Sequence, residues 1–315
     1  MQLKTGLKYI AKNLYYYLGA PKLLFWLMQR GGSKLLIFTY HKISPSSSNN
    51  EYLGVPEDIF EQQIKFIKKN FKPVSMSEGL RLLEQGDSNE IYANINLDDG
   101  YMDNYLHAYP ILKKYNIPAT IFLTTDYIGK EHVFWWDRVF NALLHKSQDQ
   151  TDNVNSVLID KNEEERESLI YELEKEHSVK QRPRPNLMLG WDEIKEMQNG
   201  LISFGAHTKT HRNLCLLKDE EVLREMIDSK NIIEKELGQK IKEFAYPFGR
   251  LDERVVRLAK EAGFEYARTT SGGFNTKDTD RFLLNWIGMG PIPTVSLFSA
   301  WIASNLLKRY LGSAK

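Results

Sequence analysis

NLDDG, residues 96–100, ends an apolar, strand-like run and delivers two adjacent carboxylates, Asp98 and Asp99, just before a glycine. On a continuing strand the two side chains point to opposite faces, but a turn beginning at Gly100 can bring both into one cleft. One acid can then hold a metal while its neighbour moves a proton. Read alone, the same triplet is more readily a helix N-cap followed by a solvated acid.

The flanking chain supplies the context. LLIFTY at 35–40 reads as a buried strand ending in His41, and PATIFL at 118–123 reads as another. The segment 56–69 carries Ile59, Phe60, Ile64 and Ile67 at helical spacing, and a helix follows NLDDG through Leu112. After Gly190 come a helix at WDEIKEM, a strand at LISFGA and a helix from Asp219 to Leu237. EFAYPFG, a helix to Ala262 and YARTT at 266–270 complete the series. Strand and helix alternating in this way argue for an α/β architecture. Residues 126–188 break the alternation with an aromatic-rich helix (FWWDRVFNALLH) and a charged one (NEEERESLIYELEKEH), so they are expected to form an insertion, either a lid or a platform.

With 315 residues, 42% hydrophobic and 12% aromatic, the chain can bury a large core. Cys215 is the only cysteine, which excludes an internal disulfide framework and a cysteine-rich zinc site, so any metal must use His, Asp or Glu. The net charge of +1 is unevenly spread: Lys4, Lys8, Lys12, Lys22, Arg30, Lys34 and Lys42 precede the first acid, Glu51. No acid follows Arg281, so both ends are basic and the middle is acidic. Leu3, Leu7, Ile10, Leu14 and Leu18 recur at helical spacing, LLFWLM occupies 23–28, and Val295, Phe298, Ile302 and Leu306 define an apolar face near the other end. All are short for a membrane span, and no secretory signal is evident. Three units are expected: a basic amphipathic segment (1–33), the main domain (34–290) and a C-terminal amphipathic helix (291–315). The ends either pack on the domain or form one patch against an anionic membrane.

His207 and His211 stand four apart in GAHTKTH, at the end of a strand-like run. Zinc accepts imidazole nitrogens plus a carboxylate and keeps a position for water in catalytic sites, so His207, His211 and Asp99 make a complete ligand set. Asp98 is then free to act as a base.

These motifs resemble those of the polysaccharide deacetylases of carbohydrate esterase family 4, the NodB-homology group, with closest likeness to the biofilm and envelope branch. The likeness spans about 34–290: the family's TFDDG stands here as NLDDG, H-[ST]-x-x-H as HTKTH at 207–211, and R-x-P-[YF] as AYPF at 245–248. It implies a distorted (β/α) barrel, Asp98 as general base, and Asp99, His207 and His211 as ligands of one divalent ion, most plainly Zn2+. Two departures stand out. The third-motif arginine is Ala245, leaving Asp98 without its expected cation unless Arg250, Arg268 or Arg281 replaces it. No histidine follows His211, so the family's late general acid is missing, and His41, in a YHKI that resembles an early Tyr-His motif of this branch, is the candidate in its place. Phe248, Tyr246, Pro247 and Trp191 are expected at the oxyanion and substrate positions.

The resemblance implies removal of N-acetyl groups from an amino-sugar glycan or lipid-linked glycoconjugate, with release of acetate. No nucleic acid is implied as a partner. The basic apolar ends and the lack of an export signal point to a cytoplasmic enzyme at the inner membrane surface. A non-catalytic glycan-binding barrel and an amidase acting on a non-sugar amide are the alternatives.

Overall fold

Every residue of Ile91–Leu97 is buried, although the strand alternates apolar and polar side chains. Ile91, Ala93, Ile95 and Leu97 join the main core under the helices, and the alternation turns Tyr92, Asn94 and Asn96 to the other face. Such a strand fits a closed sheet whose inner face is also shielded from water.

The computed structural model describes residues 20–312 apart from 31, 47–51, 87, 145, 182 and 184. Seven parallel strands close the barrel: β1 (Lys34–Tyr40), β2 (Ile91–Leu97), β3 (Ala119–Leu123), β4 (Ile202–Ala206), β5 (Glu243–Ala245), β6 (Tyr266–Gly272) and β7 (Leu284–Gly288). Each pairs with the next in chain order, and β1 pairs with both β2 and β7, which shuts the sheet. The helices are α1 (Ala20–Gln29), α2 (Glu57–Asn70), α3 (Met76–Gln85), α4 (Tyr109–Tyr115), α5 (Trp135–Ala142), α6 (Gln148–Leu158), α7 (Glu163–Glu176), α8 (Trp191–Gln198), α9 (Asp219–Leu237), α10 (Glu253–Glu261) and α11 (Val295–Gly312).

The two ends of the barrel differ. Leu35, Ile37, Tyr92, Tyr266 and Leu284 pack with Val74, Met76, Leu80 and Leu83, so α3 plugs the end where the strands begin. Ser75 caps α3 by accepting the Glu78 N–H, and Gly86 ends it in a left-handed turn. Each of these side chains contributes about 1.5–3 kcal/mol by leaving water. The strands' carboxyl ends therefore form the open rim, where β1 leads into His41, β2 into Asp98 and β4 into His207.

The expected helix through Leu18 lies outside the described residues. In α1, Phe25 packs edge-on against Phe71 at 5.1 Å between ring centroids. In α11, Phe298, Ile302 and Leu306 are buried in the main core, with Phe298 5.3 Å from Phe66. Three of the four residues expected on the apolar face of α11 are thus turned into α2 and the core. No helix among the described residues is long and apolar enough to cross a membrane.

Candidate active site

Asp99 has φ 73° and Gly100 φ 80°, so the turn starts one residue earlier than the sequence suggests. The reversed backbone at Asp99 brings its carboxylate to the cleft that Asp98 already faces from the inner parity of β2. Five of the seven non-glycine residues with positive φ among the described residues cluster here: Leu53, Asp99, Thr208, His211 and Phe248. Strain of this kind persists only where surrounding contacts enforce it.

The contacts around HTKTH are explicit. Thr208 Oγ1 accepts the His211 N–H at 3.0 Å, and Glu225 of α9 accepts the Lys209 and Thr210 N–H groups at 2.8 and 2.9 Å and the Thr210 hydroxyl at 2.6 Å. The folded loop sets the two imidazoles with Nε2 atoms 3.1 Å apart. Asp99 Oδ1 lies 3.2 Å from His211 Nε2 and 3.6 Å from His207 Nε2.

This set fits a divalent ion. All three residues are buried, with ligand atoms within 4.8 Å of one another, and neither Asp99 oxygen has a hydrogen-bond partner. A buried carboxylate left so is costly unless a cation shares it. His207 Nδ1 lies 2.7 Å from the Ala245 carbonyl, which can only accept, so the proton sits on Nδ1 and the Nε2 lone pair faces Asp99. Burial, reinforced by the charge of His211, pushes His207 down to about 4, which keeps it a neutral ligand near pH 7. Burial by itself would raise the Asp99 carboxyl, but the close approach and charge of His211, with His41 and His207, hold it well below the usual carboxylate range.

Asp98 is not without a cation. Arg268 Nη2 donates to both of its oxygens at 2.6 Å, from a side chain only 2% exposed that lies 5.2 Å from the ring centroids of both Phe122 and Trp286. Ala245 and Arg268 are register partners on β5 and β6, so the arginine absent at 245 is supplied one strand over. The other two candidates are used elsewhere: Arg250 holds Asp160, and Arg281 pairs with Glu84. Of the three replacements left open by the sequence, Arg268 is the one that reaches Asp98.

His41 Nε2 stands 3.8 Å from Asp98 Oδ2, and the His41 carbonyl accepts from Asn104 Nδ2 at 2.8 Å, in a single π-helical turn, Asn104–Ala108, that follows the aspartates. Tyr246 and Phe248 line the same cavity of about 280 Å³ as His41, both aspartates and both histidines. The Phe248 ring lies edge-on to His211 at 4.5 Å. Pro247 is buried beside this cavity, and Trp191 packs on the main core; neither lines it.

The insertion forms one wall. Trp135, Trp136, Asn155 and Ile159 line the cavity, with Trp136 4.9 Å from the His211 ring. Buried Lys42, next to His41, binds Asp137 at 2.8 Å, and Asn186 binds the other Asp137 oxygen at 2.7 Å, tying the wall to the barrel. Sequence reading missed Tyr52, Leu53, Thr270 and Trp286, which also line it. Trp286 shares the inner parity of Leu284, but this depends on knowing that β7 exists.

An Asp-His-His cluster that fits a divalent ion, beside an arginine-held carboxylate and opening into an aromatic-walled cavity, is the arrangement a metal-dependent hydrolase on a (β/α) barrel requires. Residues 85–267, more than half of the chain, match the family model for polysaccharide deacetylase, and the chain belongs to that family. It is 28% identical over 281 residues (89% of this chain, 80% of the relative) to YxkH of Bacillus subtilis (strain 168), which is provisionally named a polysaccharide deacetylase. It is 25% identical over 253 residues (73% and 70%) to the poly-β-1,6-N-acetyl-D-glucosamine N-deacetylase of Staphylococcus aureus (strain MRSA252). The fold matches the Streptococcus pyogenes deacetylase PplD, solved in complex with acetate, with a TM-score of 0.60 at 24% identity over 88% of this chain and 98% of that one.

Proposed function

We propose that the protein removes acetyl groups from an N-acetylated amino-sugar glycan, polymeric or lipid-linked, using Asp98 as general base and His41 as general acid. The observation that carries this reading is the Arg268-held Asp98 carboxylate in the same cavity as Asp99, His207 and His211. Asp99, His207 and His211 would hold the ion, and two imidazoles with one carboxylate favour Zn2+. When bound, such an ion lowers the pKa of water and polarises the acyl oxygen.

The chain's own residues do the rest. Arg268 orients Asp98 through both carboxylate oxygens, and Asp98 takes a proton from the water whose oxygen attacks the acetyl carbon. The Phe248 backbone N–H, presented by a left-handed residue on the cavity wall, donates to the oxygen that gains charge. His41 gives its proton to the amide nitrogen as the C–N bond breaks, since an amide anion is a very poor leaving group. Acetate and a free amino sugar result. Trp135, Trp136 and Phe248 shield the acetyl methyl from water.

The unit 34–290 carries the activity, with 126–188 as a fixed wall, and a cytoplasmic, membrane-peripheral setting belongs to the same proposal. Arg268 also weakens the case for a non-catalytic binder, because a pure binder has no use for a buried base held by a buried guanidinium. Acetate release from N-acetylglucosamine oligomers and from lipid-linked acetamido sugars tests the assignment. Turnover of simple non-sugar acetamides alone would point to the amidase instead.

A further inference from the structure

We propose that α1 and the groove beside it seat the protein on an anionic lipid surface, with the catalytic mouth turned away from the lipid. Leu23, Trp26 and Leu27 are 57%, 46% and 48% exposed and recur at the spacing of one helical face. Phe25 is buried on the other face, against Phe71, so the exposed stripe is what remains after the helix has packed. Next to it, a groove of about 300 Å³ between α1, α2 and α11 has Phe25, Phe66 and Val295 in its walls, with Lys65 and Lys69 beside them.

The charge around this apolar surface has mainly one sign. Arg30 lies 3.6 Å over the Trp26 ring, and Lys65, Lys68 and Lys69 are exposed on α2. The nearby acid, Glu61, is shared by Lys65 and Lys114, and no acidic residue precedes Glu51 in the chain. An aromatic and aliphatic stripe flanked by cations suits the phospholipid interface: the apolar side chains enter the acyl boundary while cations meet phosphates.

The fold fixes the orientation. Phe71, which receives Phe25, leads into Lys72 and Pro73, and these pair with Tyr92 and Ala93 at the start of β2. Asp98 and Asp99 leave the far end of that strand, roughly 20 Å further along. A protein seated on α1 therefore offers its mouth to glycan extending from the surface rather than to the headgroup layer beneath. The lipid seat rests on the membrane-peripheral setting proposed above and does not depend on turnover.

Flotation of the full chain with phosphatidylglycerol–phosphatidylcholine vesicles, against pure phosphatidylcholine, tests it. The protein should float with the anionic vesicles alone. L23S/W26S/L27S should cut the bound fraction roughly tenfold and K65E/K69E several-fold, with circular dichroism and melting temperature unchanged. Equal binding by the triple variant, or binding to both vesicle types alike, overturns the surface; so does flotation with neither. For orientation, L27C and L144C are each made on a C215S background and labelled with a fluorophore. Brominated lipid should quench the label at 27 and spare the one at 144, on the insertion; equal quenching overturns the orientation. Neither readout requires turnover, so failure of the deacetylase assignment would be seen separately.

Discussion

Arg268 and Ala245 occupy one register step on neighbouring strands, and that step decides whether Asp98 can serve as a base. Removing the arginine leaves a buried carboxylate uncompensated, which costs about 3–5 kcal/mol where the fold cannot relax. Arg268→Ala should therefore lower the melting temperature and reduce acetate release by about a hundredfold or more. Adding Ala245→Arg to that variant returns a guanidinium to the adjacent strand and should recover part of the loss. If A245R/R268A is no better than R268A, the guanidinium is not acting through its position beside Asp98. His41→Gln keeps a polar side chain at the rim but cannot supply the proton; deacetylation should fall about 10²–10³-fold with the fold intact, and a fall of less than threefold would remove His41 as the acid.

At the level of elements, the arginine rests on a shelf made by β3 and β4. Phe122 and Gly205 are register partners, and a Cβ at 205 would meet Phe122 Cε1 at 2.5 Å and Glu243 Cβ at 3.1 Å. Gly205→Ala should push the Phe122 ring toward Arg268, destabilising the protein by about 1–3 kcal/mol and lowering turnover; a melting curve superimposable on wild type would show that the shelf is not tight. The insertion is held by a comparable fixed point, the buried Lys42–Asp137 pair. Lys42→Met should loosen the wall carrying Trp135 and Trp136, seen as faster protease cleavage within 126–188 and weaker oligosaccharide binding. Much at this scale was legible in the sequence. LLIFTY, IYANINL, ATIFL and ISFGA are apolar enough to declare themselves, and alternation with helices gives a parallel sheet. β7 was not legible: LNWIG is short, and its Asn285 looks like a loop residue until its backbone N–H is seen donating to Asn275 Oδ1 at 2.8 Å. Likewise, no pattern within one segment chooses Arg268 over Arg250 or Arg281, because the choice depends on cross-strand register. The left-handed turn at Asp99, and the burial of α11 on α2, are set by tertiary contacts in the same way.

Across the whole molecule, the buried Glu243 links stability to pH in the neutral range. Burial raises the Glu243 carboxyl to about 7, partly opposed by the Tyr266 hydroxyl that donates to it at 2.9 Å and by Thr120. The folded state thus holds a proton that the unfolded chain releases near the ordinary carboxylate value of about 4.5. Its contribution is fully present below that value and is lost as pH rises through about 7, on the order of 3 kcal/mol in all. Glu243→Gln should flatten that slope and stabilise the protein on the alkaline side; a denaturation profile with the wild-type slope between pH 5 and 8 would assign the dependence elsewhere. The barrel and the family were within reach of the sequence, as was the convergence of Asp98, Asp99, His207 and His211 on one cavity, because their motifs are local. We propose that these four act together in deacetylation, and acetate release from N-acetylglucosamine oligomers is the decisive measurement. Wild-type protein should release acetate, chelator should abolish release and added Zn2+ restore it, and Asp98→Asn should retain the metal yet lose at least about a hundredfold in rate. Undiminished release by Asp98→Asn, or by chelated protein, would contradict the account.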